Sequence, residues 1–110
     1  MTIATLTSQP SGARRLAFDG PLTIYDAEAI KAHLHAALQQ TKGVPLELDL
    51  AAVTDIDLAG LQLLLLARRE SLRLELPLRI IAASAAVREV IGFCHLGDFF
   101  GDTLAPDPEG

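Results

Sequence analysis

Ile3, Ala4 and Leu6 are set among threonines at the start of the chain, and this near-alternation predicts a short strand over 2–6. "SQPSG" then supplies turn residues, and "RRLAFDG" reads as a second strand folded back on the first. Gly20-Pro21 is expected to end it, because proline cannot donate to a strand ladder. The period then lengthens to that of a helix. Ala27, Ile30, Leu34, Ala37 and Leu38 form one stripe up to about Gln40, with Asp26 placed to cap the first turn. Lys42-Gly43 stops this helix.

"VPLELDL", from Val44 to Leu50, predicts a third strand with Leu46, Leu48 and Leu50 on one face. A leucine-rich helix follows from about Leu58 to Arg73. "LPLRIIAA" predicts a fourth strand, continuously apolar over Ile80–Ala83 as a centrally buried strand would be. Ser84 can cap a third helix, Ala85–Ile91, closed by Gly92. "HLGDFFGDTL" could hold a short last strand or helical turn, and "APDPEG" reads as a frayed tail. Strands alternating with helices over short loops imply parallel pairing through right-handed crossovers. The first two strands add an antiparallel hairpin. The expected class is α/β, with a mixed sheet of four or five strands.

Composition narrows the function more than the fold. At 110 residues the chain reads as one domain, residues 1–110, with half its residues hydrophobic. A mean hydropathy of +0.33 is enough for a core without metal or disulfide staples. The net charge is −5 with only nine Lys plus Arg, a poor basis for binding nucleic acid. The pairs Arg14-Arg15 and Arg68-Arg69 are too small to change that. The first twelve residues lack a signal-peptide pattern, and no apolar run approaches the ~20 residues that span a bilayer. No membrane insertion and a cytoplasmic location are expected.

Signals for catalysis are sparse. Asp55 and Asp57 could be a carboxylate pair, but no His, Lys or Cys is near in sequence, and a carboxylate just before a helix is a natural cap. His33 and His35, two apart on a helix, point to roughly opposite sides and cannot chelate one metal. His95 beside Cys94 lacks a third ligand, and the single cysteine reads as a buried, inert thiol. Neither a glycine-rich phosphate loop nor a Gly-x-Ser-x-Gly elbow is present. The reading is a non-enzyme without metal or cofactor.

The leucine helix is more informative. At about 100° per residue, Leu61, Leu64, Leu65 and Leu72 cluster on one side with Ala67 at the margin, while Gln62, Arg69 and Arg73 mark the wet side. Leu58 falls on the border, and Leu63 and Leu66 fall on the polar flank. Leucines outside the inward stripe are covered either by neighbouring loops or by a partner. The projection places Leu58, Gln62, Leu66 and Arg69 along one strip that starts at the loop.

"LELDLAAVTDIDLAGLQLLLLA" resembles the signature of STAS domains, found in anti-sigma-factor antagonists and sulfate transporters. Asp49-Leu50, Val53 and Asp57-Leu58-Ala59-Gly60-Leu61 occupy its places: a strand ending in Asp-Leu, a valine, then Asp-Ser-small-Gly-Leu opening a leucine-rich helix. "FDGPLTIYDAEAIKAHL" and "LRIIAASAAVREVIGFCHLGDFF" look like the flanking elements, so the resemblance runs from about Leu16 to Phe100. It implies the STAS fold, with three or four helices on the mixed sheet, and a module that binds a signalling protein. Such a partner is an anti-sigma kinase or a chemotaxis or two-component protein, gripping the region around the motif. In the antagonists the residue after the motif aspartate is a phosphorylated Ser or Thr. Here it is Leu58, which has no hydroxyl, so the phosphoacceptor within Asp57, Leu58, Ala59 and Gly60 is lost. Thr54 is the nearest hydroxyl but is misplaced relative to the helix. The alternative implied role is the STAS accessory subunit of a phospholipid-trafficking ABC transporter, although such subunits usually keep a threonine there.

Overall fold

The computed structural model describes residues 2–41 and 43–93. Four strands, β1 (Ile3–Ser8), β2 (Arg14–Leu22), β3 (Leu46–Ile56) and β4 (Leu78–Ala83), form one sheet in the order β1-β2-β3-β4. β1 runs antiparallel to β2, while β2, β3 and β4 are parallel. Helices α1 (Ala27–Gln40) and α2 (Leu58–Arg73) make the two crossovers, and α3 (Ala85–Phe93) follows β4. Because both crossovers step the same way across the sheet, right-handedness puts α1 and α2 side by side on one face. This is the expected mixed α/β sheet. A fifth strand in "HLGDFFGDTL", the tail, and Cys94 and His95 lie outside the described residues.

The core is the layer between that face and the two helices. Leu16, Leu48 and Ile80 form one buried cross-strand row, met by Ile30, Leu34 and Leu38 of α1 and by Leu61, Leu64 and Ala67 of α2. The alternate row, Arg15, Glu47 and Arg79, points the other way, and there the Arg15 guanidinium pairs with the Asp49 carboxylate. Asp49 also accepts from the Ala51 N–H at 3.0 Å, which satisfies a nearly buried charge.

Several boundaries differ from the expectation, each for a local reason. β2 does not stop at Gly20-Pro21. Gly20 takes φ +113°, the ladder slips by one residue there, and the strand resumes to pair Leu22 with Ile56. With β2 alongside, β3 continues six residues past Leu50, through Ala51–Ile56, where the buried positions, Val53 and Ile56, do not follow a strand's alternation. β4 is not central: it forms an edge among the described residues, with Ile80 buried but Ile81 exposed. Asp26 makes no side-chain cap. The chain enters α1 through a 3-10 turn, Ile24–Asp26, whose own backbone bonds hold it, Asp26 N–H to Thr23 O at 3.0 Å.

Ser84 does start α3, accepting from the Val87 N–H at 3.3 Å, but Gly92 lies inside that helix. Leu72, expected to face inward, is 62% exposed. Its place is taken by Ser71, two turns from Leu64, fully buried and bonded through its hydroxyl to the Arg68 carbonyl at 2.7 Å.

Candidate functional site

The loop between β3 and α2 is built around one carboxylate. Asp57 Oδ1 accepts from the Gly60 N–H at 2.9 Å and caps α2, as the sequence suggested for an acid at this place. Its Oδ2 accepts from the Ile24 N–H, also at 2.9 Å, so the same side chain ties the start of α2 to the turn before α1. These donors, Gly60 first and Ile24 next, hold the Asp57 carboxyl below its ordinary range. Asp55 does not join it. Its carboxylate accepts from the Ile56 N–H at 2.9 Å and makes no bond to the helix start.

Gly60 has a different reason to be there. A Cβ on Gly60 would lie 2.0 Å from the Leu22 carbonyl oxygen and 2.8 Å from its carbon. That oxygen also accepts the Asp57 N–H at 3.3 Å. The first turn of α2 thus lies directly on the β2 end, and only glycine permits the approach. Asp57 and Gly60 together fix where the intervening residues point: Ala59 is half-buried, and Leu58 is 68% exposed.

Leu58 therefore occupies the outward position of a rigid helix start. Ile56, Asp57, Leu58, Glu89, Val90 and Phe93 line a hollow between α2 and α3. Exposed Ile24 and Tyr25 flank the loop on its other side, with Tyr25 93% and Phe93 86% accessible. Sequence reasoning passed over Ile24, Tyr25 and Phe93. An apolar–aromatic pair inside a strand-to-helix connection, where turn residues are usual, was the available signal for the first two.

Leu58, Gln62, Leu66 and Arg69, the strip drawn by helical projection, are all exposed on α2. Gln62, Leu66 and Arg69 line one shallow hollow together with Leu65, and Leu66 is 43% exposed. Leu58, at the start of the same helix, also lines the hollow beside α3. Leu63 is not on a polar flank, since it packs against the core from the α1 side. Thr54 is exposed within β3, three residues before the cap. Among the described residues no group of three His, Cys, Asp or Glu side chains could hold a metal, and no helix is long and apolar enough to cross a membrane.

Comparison with known proteins agrees with this architecture. The family described as "Mlab, STAS domain" matches residues 5–101, so the chain belongs to the STAS family. An anti-sigma factor antagonist from Mycobacterium paratuberculosis superposes with a TM-score of 0.81 at 22% identity, covering 99% of this chain and 89% of that one. The phosphorylated form of the Bacillus cell fate determinant SpoIIAA gives 0.65 at 21% identity, covering 86% of each chain. The murine anion transporter Slc26a9 gives 0.68 at 16% identity over 93% of this chain but 19% of that one. No curated protein matches the sequence significantly.

Proposed function

We propose that the protein is a non-enzymatic STAS interaction module, similar in role to an anti-sigma-factor antagonist. It binds a signalling protein through the start of α2 and is not controlled by phosphate at that point. The observation that carries this reading is Leu58, a hydrocarbon side chain held 68% exposed directly after the capping Asp57. The exposed Ile24, Tyr25 and Phe93 beside it make the same end of the molecule apolar. Exposed aromatic and aliphatic side chains around a rigid element are the composition of a protein-binding surface. SpoIIAA has been solved in unphosphorylated and phosphorylated forms. In this chain a leucine cannot take the phosphate that would add nearly two charges and release a partner.

Affinity purification with the intact protein identifies the partner, and titration calorimetry then compares wild type with Leu58→Asp. A buried leucine contributes on the order of 2 kcal/mol, and an unpaired charge in its place costs at least as much. The expected result is at least a tenfold weaker complex, about 1.4 kcal/mol, with the melting temperature little changed. Binding at full strength would place the contact elsewhere. Phosphate found on Thr54 by mass spectrometry after incubation with a partner kinase would refute the unswitched reading. A role as accessory subunit of a phospholipid-trafficking ABC transporter stands as the second reading, because the matching family is described as Mlab rather than as an antagonist. Purification of a permease and its ATPase with the protein would favour it.

A further inference from the structure

A pocket of about 210 Å³ opens between α1 and α2. Its floor is hydrocarbon, formed by Leu34 of α1 and by Leu63, Leu66 and Ala67 of α2. Three ionisable groups stand at its rim: Lys31 and His35, one turn apart on α1, and Glu70 on α2. They do not cancel. Glu70 accepts from Arg73 Nε at 2.9 Å, so its charge is directed to the last turn of its own helix. Arg73 is also the main reason the Glu70 carboxyl lies below its ordinary range, with His35 a lesser one. Lys31 has no hydrogen bond or ion pair among the described residues. The result is an apolar floor with an ammonium at its edge that no carboxylate of the described residues pairs directly.

We propose that this pocket binds a small apolar carboxylate, its hydrocarbon part on Leu34, Leu63 and Leu66 and its carboxylate on Lys31 with His35 beside it. Size supports this class of ligand. A dry cavity of about 150 Å³ holds a benzene molecule, so 210 Å³ suits one ring or a chain of roughly six to eight carbons. A larger lipid would leave most of its surface in water. Charge sets the head group: a carboxylate gains a charge-assisted hydrogen bond from Lys31, whereas an amine of the same shape meets a like charge. A ligand here would lie against one side of Leu66 and leave the Leu58 hollow free, so the site is independent of the protein-binding reading.

Sodium octanoate titrated into the intact, isotopically labelled protein tests the proposal, with octylamine as the control of opposite charge. The expected result is saturable amide shifts confined to α1 and α2 around Lys31, His35, Leu63 and Leu66, half-complete below about 1 mM, within reach of a ligand of this size. Octylamine should bind at least tenfold more weakly. Lys31→Glu should weaken octanoate at least tenfold, and Lys31→Gln should weaken it measurably should the reversed charge disturb α1. Leu58→Asp should leave octanoate binding unchanged, which separates failure of this site from failure of the protein interface. Absence of saturable shifts, equal binding of the amine, or full affinity in both Lys31 variants would each overturn the proposal.

Discussion

Two residues define the motif physically, and each supports a prediction. Asp57 makes two bonds that span separate elements, so Asp57→Ala should cost more than an ordinary cap, somewhat above 1 kcal/mol by chemical denaturation. Its depressed carboxyl has a definite pH consequence. The ionised form stabilises the fold at pH values above the unfolded value of about 3.9, and this contribution is lost as pH falls through the lower folded value. Melting curves of wild type and Asp57→Asn should therefore differ near pH 7 and converge in strong acid; a constant gap down to the lowest pH would refute it. Gly60→Ala should be more severe, about 3 kcal/mol, because the added methyl meets the Leu22 backbone instead of a movable side chain. Stability within 1 kcal/mol of wild type would mean that the helix start shifts freely, which would also weaken the case for a rigidly presented Leu58.

At the scale of the element, α2 has one face in the core and one outside, and the boundary is not where leucine content alone would place it. Leu64 is fully buried and Leu72 is largely exposed. Leu64→Ala should cost roughly 3 kcal/mol through lost burial and the cavity left behind, whereas Leu72→Ala should stay within about 0.5 kcal/mol. Urea titrations of the two variants make the comparison; similar losses would mean that Leu72 is covered in solution. The helix itself was readable because its bounds, Leu58 and Arg73, coincide with a capping acid and the end of the leucine run. The place of Ser71 was not, because a serine becomes acceptable in the core only when its hydroxyl finds the Arg68 carbonyl.

Across the whole molecule, protection should follow strand position. Leu46–Leu50 is paired on one side with β2 and on the other with β4, while the later part of β3 has only β2 beside it. Hydrogen exchange should be slowest in that first half of β3, faster over Ala51–Ile56, and faster still in β1 at the sheet edge. Equal protection of β1 and Leu46–Leu50 would contradict a core centred on β3.

The alternation of short periods and helical periods determined the class of fold, the hairpin start and the leucine helix, because those patterns follow from burial on one face of each element. The signature around Asp57 and Gly60 was equally visible, and with it the loss of a hydroxyl at Leu58. Tertiary structure alone decided the rest. β3 is long because β2 accompanies it past the bulge at Gly20, and β4 alternates because only one of its faces is covered. Ile24 and Phe93 reach the region of Leu58 only because Asp57 bonds the Ile24 amide and α3 packs along the free end of β3. Those are contacts between residues more than thirty positions apart, and no local period encodes them.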